Sequence, residues 1–299
     1  MTADLSTLRL MEPAPGVLAW YDGRIPGHRW SSEPNWVDHG ALSLGIATYA
    51  VFDGAEAIVY DTHVSVPHAE RIRADLAACG VTRFTVVLSH WHLDHVAGTA
   101  AFADCPVIAN TRTAAHLAAH RTAVEAGTLQ GPPAIAPLIL PTETFDGSKS
   151  LRVGTRTAEL LSFDIHSDDA TVLWLPDTGL LLAGDTLEDT VTFVSEPDHI
   201  RRHRTDLDRL ATLRPTRILP DHGDPGRIAT GGYGPALIAA TARYTDWLIA
   251  LQSDPSRASD DFRTLLASDL DAGTLVWEEG YEGIHAENIA RVVKSAGTR

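Results

Sequence analysis

The sequence predicts a mixed α/β layered fold, and three observations carry that expectation. Short apolar, β-prone runs alternate with stretches of helical periodicity. The helical stretches carry their own start and stop signals. A chain of 299 residues is long enough to bury a large core, either as one domain or as a core with an appendage.

Strands are expected at Val17–Tyr21, Leu42–Phe52, Ala57–Tyr60, Phe84–Leu88, Pro106–Ala109, Ala158–Phe163, Thr171–Leu175, Leu180–Ala183 and Arg217–Leu219. Helices are expected between them. Pro67–Cys79 opens with proline in a first-turn position and ends before Gly80. Thr111–Ala126 is rich in alanine and stops at Gly127, and Asp206–Leu213 reads as a short third helix. Leu173-Trp-Leu-Pro-Asp-Thr-Gly-Leu-Leu-Leu182 reads as two buried strands joined by a turn, which would deliver Asp185 to the sheet edge. The segment Gln130–Pro141 is proline-rich yet apolar, as an ordered connector would be.

The character changes after His222. Gly231-Gly-Tyr-Gly-Pro235 marks a boundary, and Ala236–Leu251, Asp260–Ser268 and Ala286–Ser295 carry apolar residues at helical spacing. The expected organisation is therefore a catalytic core over residues 1–230 and a C-terminal helical extension over 231–299, packed on that core. Near the other end, residues 21–40 lack periodicity but hold Trp30 and Trp36, and a loop this long in a compact enzyme is commonly functional.

Composition excludes some classes. With 24 basic and 39 acidic residues the formal charge is −15, which disfavours nucleic acid as a partner, because backbone binding needs a basic footprint. No apolar run approaches the roughly 18 residues of a membrane span, and the N-terminus shows no secretory leader, so a cytoplasmic protein is expected. Cys79 and Cys105 are too few for a disulfide framework and read as free, buried thiols.

The chemistry concentrates in Ser89-His-Trp-His-Leu-Asp-His-Val-Ala-Gly98. His90, His92, Asp94 and His95 place four metal-ligating side chains within six positions, directly after the strand-like Phe84–Leu88. If extended geometry persists to residue 92, the period of two turns His90 and His92 to one side, where they can grip one ion. Asp94 and His95 then face a neighbouring position. One tetrahedral ion would hardly use all four groups together with the later histidines His166 and His222, so two adjacent metals are expected.

This motif resembles the HxHxDH signature of the metallo-β-lactamase superfamily, and further landmarks follow in order. His166 ends Ala158–His166, Asp185 follows Leu180-Leu-Leu-Ala-Gly184, and His222 follows the strand-like Arg217–Leu219. Upstream, Asp61 in Ala57-Ile-Val-Tyr-Asp-Thr62 matches the family's early aspartate, which supports the metal-binding loop from behind. The resemblance spans about residues 40–225. It implies an αββα four-layer sandwich with the metals at one edge, His90, His92 and His166 on a first ion, Asp94, His95 and His222 on a second, and Asp185 bridging. Two Zn²⁺ ions suit that donor set best, and Mn²⁺ or Fe²⁺ also fit. Water held between two dications loses a proton near neutral pH and becomes a hydroxide nucleophile, while Asp94 can take or return a proton.

The resulting expectation is a dinuclear metal-dependent hydrolase attacking the carbonyl of a small ester, lactone or thioester. Asp185 weighs toward lactonase-like and glyoxalase-II-like relatives, since family members that act on β-lactams usually lack it. The alternatives are a metal-dependent lyase, cyclase or decarboxylase on the same fold, or a β-lactam or phosphodiester hydrolase, because a fold does not fix a reaction. Trp30, Trp36, Phe193 and Tyr233 are candidates for the substrate pocket, with Arg24 or Arg29 positioned to meet a substrate carboxylate, and a homodimer is a possible assembly. Tyr233, Tyr244 and Trp247 suit core packing as well as a pocket, and His116 and His120 suit an exposed helix face.

Overall fold

A computed structural model describes residues 4–297. Its first sheet holds seven strands in sequential order: β1 Arg9–Ala14, β2 Val17–Asp22, β3 Ile46–Asp53, β4 Glu56–Tyr60, β5 Arg83–Val87, β6 Val107–Asn110 and β7 Glu143–Phe145. The second holds β8 Ser148–Val153, β9 Arg156–Ser162, β10 Thr171–Leu175, β11 Leu180–Gly184 and β12 Arg217–Pro220, in the order β12-β11-β10-β9-β8. The expected strand pair around the Pro-Asp-Thr-Gly turn is the antiparallel β10–β11 hairpin, in which Leu175 faces Leu180.

Three strands were not expected, and all three lie at sheet edges. β1 and β7 close the two sides of the first sheet, and β8 closes one side of the second. An edge strand is half solvated and tolerates polar residues, so Ser-Lys-Ser-Leu-Arg-Val carries too little apolar signal to be read as β8. The strand expected from Leu42 begins at Ile46 instead, because Val37–Leu42 coils into a wide helical turn and Gly45 adopts a positive φ of 71°.

Parallel neighbours need crossovers. α1 (Val66–Ala78) links β4 to β5, and the short α2 (Leu93–Val96) lies between β5 and β6. α3 (Thr111–Glu125) links β6 to β7, and α4 (Ile200–Ala211) links β11 to β12. α4 starts earlier than Asp206 because Ile200, His203, Leu207 and Leu210 form one buried stripe through intervening charged residues. The chain ends in α5 (Pro225–Ala229), α6 (Ala236–Leu251), α7 (Phe262–Asp271) and α8 (Tyr281–Gly297).

Alternation along the strands builds the four layers. Val17, Ala19, Tyr49, Ile58 and Val87 of the first sheet pack against Leu160, Leu173, Leu182 and Leu219 of the second. On the outer face of the first sheet, Trp20, Ala50 and Val86 meet Ile72 and Leu76 of α1 and Leu117 of α3. On the outer face of the second, Val172, Leu181 and Ile218 meet Leu207 of α4, Leu248 of α6 and Val292 of α8. This is the αββα sandwich, and the C-terminal helices α6 and α8 share its outer layer. Among the described residues, no helix is long and apolar enough to cross a membrane. Cys79 and Cys105 are free, but Cys79 is exposed and Cys105 only partly buried, because each sits in a turn outside the apolar stripes.

Candidate metal centre

The site lies where strands of both sheets end. β4 runs into Asp61, β5 into Ser89–Asp94, β11 into Asp185 and β12 into Asp221–His222, so the C-terminal ends of four strands converge. β11 is an internal strand, so Asp185 emerges from its end and not from an edge strand. Asp61 and His166 hold positive φ angles of 68° and 67°, conformations that cost a non-glycine residue about 1–3 kcal/mol each. Surrounding hydrogen bonds hold them there, including Asp61 N–H to Val87 O at 2.8 Å and Ser195 N–H to His166 O at 2.8 Å. Gly98, which ends the histidine motif, passes so close to the Thr62 carbonyl that a Cβ would lie 2.0 Å from its oxygen.

The fold gathers His90, His92, His166 and Asp185 into one group of donor atoms and Asp94, His95 and His222 into another, each within 4.8 Å. Asp185 Oδ2 faces both groups. It lies 3.6 Å from His90 Nε2 and 3.5 Å from His166 Nε2 on one side, and 3.2 Å from His95 Nε2 and 3.5 Å from His222 Nε2 on the other. Asp94 Oδ2 stands 3.5 Å from His95 Nε2 and 3.3 Å from His222 Nε2. His92 turns Nδ1 inward, 3.0 Å from His166 Nε2.

The remaining ring nitrogens are oriented from behind, as metal-binding imidazoles usually are. His90 Nδ1 meets Ser89 Oγ at 2.9 Å, and His222 Nδ1 meets the Gly45 carbonyl at 2.6 Å. His166 Nδ1 lies 3.2 Å from Glu188 Oε1. His95 Nδ1 lies 2.9 Å from Asp61 Oδ2 and 3.2 Å from Asp221 Oδ2. Asp61 also accepts from the Ser89 amide at 2.6 Å and from Ser89 Oγ at 2.5 Å, so it braces the whole histidine loop. Ser89, Glu188, Gly45 and Asp221 had escaped sequence reasoning. Asp221 stood beside His222 in plain view, but nothing local marks it as a partner of His95.

Electrostatics divide the histidines. Burial and neighbouring imidazoles push His90 well below its ordinary value, and burial with His166 pushes His92 down to about 3. Both are neutral donors. Burial also opposes charge on His95, His166 and His222, but Asp185 and its companion carboxylates outweigh it and raise all three. Burial, reinforced by Asp61, pushes Asp221 well above the ordinary carboxylate value. His90 Nε2, His95 Nε2 and Asp185 Oδ1 are buried without a hydrogen-bond partner. Unpartnered buried donors of this kind, converging on ionised Asp94 and Asp185, fit divalent cations.

The site opens into a cavity of about 850 Å³ whose floor includes His92, Asp94, His166, Asp185 and His222. Trp36, Trp91 and Phe193 stand in its walls. Two of the four expected pocket aromatics lie elsewhere. Trp30 lines a separate apolar cavity of about 180 Å³ and stacks on His68 at 6.2 Å. Tyr233 is buried under the second sheet, where its hydroxyl accepts from the Asp224 amide at 2.8 Å and its backbone bridges Ile218. Tyr244 and Trp247 are core residues of α6. Arg24 turns inward to Asp189 at 3.4 Å, and Arg29 pairs with Asp38 at 3.4 Å, so neither reaches the cavity. His116 and His120 do not occupy an open face: both stack on Trp91, at 5.2 and 4.8 Å.

The sequence profile of the metallo-beta-lactamase superfamily matches residues 44–222, and the chain belongs to that superfamily. Among proteins with curated descriptions, the beta-lactamase-like protein 2 homolog of Caenorhabditis elegans is 27% identical over 184 residues, 60% of this chain and 56% of that protein. The match thus spans little more than half of that relative. Among solved structures, a metallo-beta-lactamase from Pontibacter korlensis superposes with a TM-score of 0.60 at 16% identity, covering 80% of this chain and 99% of that one. The metallo-beta-lactamase FIM-1 from Pseudomonas aeruginosa, solved in a mono-zinc form, gives 0.57 at 16% identity over 80% of this chain and 95% of its own. At such identities the likeness is one of fold.

Proposed function

We propose that this chain is a dinuclear metal-dependent hydrolase acting on the carbonyl of a small ester, lactone or thioester, with Zn²⁺ as the ion best suited to its donors. The observation that carries the reading is the place of Asp185 Oδ2, within 3.2–3.6 Å of nitrogens from His90, His95, His166 and His222. In this reading His90, His92 and His166 hold one ion, Asp94, His95 and His222 the other, and Asp185 both.

Bound there, two divalent ions acidify water and polarise a carbonyl oxygen, which supplies a nucleophile and an electrophile without a side-chain nucleophile. The chain's own contribution is orientation and exclusion. Ser89, Asp61, Glu188 and the Gly45 carbonyl fix the imidazole rings, so the donors are set before substrate arrives. Trp36, Trp91 and Phe193 remove water from around the carbonyl group. Asp94 lines the cavity as an anion, held below the carboxylate range chiefly by His95 against the opposing effect of burial, and its place beside the reacting group, not its basicity, supports a role in passing a proton to the leaving oxygen or sulfur.

The test is a hydrolysis screen over lactones, thioesters, activated esters and β-lactams on protein purified without added metal. Turnover of a carbonyl ester, lactone or thioester that a chelator abolishes and zinc restores is the expected result. Turnover indifferent to chelation, or confined to β-lactams, would overturn the reading.

A further inference from the structure

The cavity described above is walled in part by the C-terminal helix α8, which contributes Ile284, Glu287 and Arg291. These residues lie beyond the 44–222 segment shared with the superfamily. Among the described residues, Arg291 is the one lysine or arginine lining the cavity.

Three partners fix its guanidinium. Nη1 donates to the Ser195 carbonyl at 3.2 Å, the planar group sits 4.8 Å over the Phe193 ring, and the Nε and Nη2 edge faces one Glu287 oxygen, Oε1, with both nitrogens at 2.9 Å. The first two tie it to the floor. Ser195 Oγ lies 3.4 Å from His92 Nε2, and the Phe193 ring lies 5.8 Å from the His166 ring. The third contact is the weak one. Glu287 is one helical turn away on the same face, its side chain half exposed, and such pairs contribute well under about 1 kcal/mol. A guanidinium fork matches a carboxylate in two parallel hydrogen bonds, and an entering anion can take the place of Glu287 there.

We propose that Arg291 anchors a carboxylate on the substrate, so that the preferred substrates are small carbonyl compounds bearing an acid group a short chain away from the scissile bond. This rests on the hydrolase reading above and narrows it. Arg291 is a binding residue that discriminates by charge and takes no part in bond cleavage. Glu196 and Glu287, which also line the cavity, make the competing case for a cationic substrate.

The test compares 4-nitrophenyl hemisuccinate with its methyl-capped, neutral counterpart and with an amine-bearing ester of equal length, on the metal-loaded protein. The wild type is expected to show a lower KM for the acid than for the neutral ester. In Arg291→Gln that KM ratio should fall about tenfold toward unity, and Arg291→Lys, which keeps the charge and loses the fork, should lie between. A ratio unchanged in Arg291→Gln, or a wild-type preference for the amine, overturns the proposal. If no ester, lactone or thioester is hydrolysed, the hydrolase reading has failed, and binding of phenylacetate against phenylacetamide, followed by tryptophan fluorescence, still decides the anchor. Phenylacetate affinity that Arg291→Gln leaves unaltered would then overturn it as well.

Discussion

His95 Nε2 lies 3.2 Å from Asp185 Oδ2, which brings a residue following β5 and a residue following β11 together at the centre of the site. The strands that lead to them, β5 and β11, belong to different sheets, so the contact exists only when the sandwich closes.

Replacing Asp185 by asparagine keeps its size and removes its charge. The wild type is expected to carry two equivalents of divalent metal per chain, and Asp185→Asn one or fewer. Carbonyl hydrolysis should fall by on the order of 100-fold, at the upper end of what outer-shell changes cost. Elemental analysis of both proteins, with circular dichroism to establish an intact fold, checks this. Equal metal content in the two proteins contradicts the bridging position.

Asp61 and Asp221 both reach His95, but they are not equivalent. Asp61 accepts from His95 and twice from Ser89, whereas Asp221 reaches His95 at 3.2 Å, and burial with Asp61 nearby pushes it above the ordinary carboxylate value. Asp61→Ala should weaken metal binding about 10- to 100-fold. Asp221→Asn, which keeps the shape and leaves Asp61 to hold His95, should change it less than Asp61→Ala does. Competition with a chromogenic chelator measures both, and equal losses would remove the distinction.

His285 is buried against Phe262, with ring centroids 4.0 Å apart, and its Nδ1 meets Tyr244 Oη at 3.0 Å. Burial pushes it down to about 4 from an ordinary 6.5. The unfolded chain therefore takes up a proton at a higher pH than the folded one, so stability is lost as pH falls from about 6.5 toward 4. The loss should amount to about 1–2 kcal/mol from this residue, and His285→Gln should lack it. Urea denaturation at pH 7 and pH 4.5 reads the difference, and an identical pH slope in the variant argues against it.

Asn288 on α8 clamps the loop that carries Phe193. Its Oδ1 accepts from the Val194 amide at 2.9 Å, and its Nδ2 donates to the Thr192 carbonyl at 3.1 Å. Asn288→Leu leaves both buried backbone groups unpaired and should destabilise the protein by about 2–3 kcal/mol. With Phe193 loosened, KM should rise several-fold while metal content stays the same. Metal loss without a change in KM would place the defect at the ligands instead.

The parts of this protein that could be read in advance are those whose signal is local. Leu173–Leu182 reads as a buried hairpin because both strands are continuously apolar. The histidine cluster reads as a metal site because four metal-ligating side chains fall within one strand end and one helical turn. β1, β7 and β8 could not be read, because these edge strands are largely polar or exposed, whereas the fourth edge strand, β12, buries Ile218 and Leu219 and could be read. Trp30 and Trp36 were indistinguishable in a loop without periodicity. Only packing decides that Trp36 walls the cavity, with its indole N–H donating to the Pro133 carbonyl at 2.9 Å, while Trp30 turns to His68.

By itself, the sequence carried the layered α/β class in its periodicity and the cluster of His90, His92, Asp94 and His95 in its spacing, while His166, Asp185, His222 and Asp61 were legible only through the resemblance to the superfamily. Tertiary structure alone decided the orientation of the rings, the shape of the cavity and the arrival of Arg291 at its wall. The reason is distance along the chain. The Gly45 carbonyl that fixes His222 lies 177 positions away from it, and Asp221 lies 126 positions from His95. Hydrogen bonds reach about 3 Å through space and have no imprint in local sequence, so such pairs exist only once two sheets have packed and brought their strand ends together.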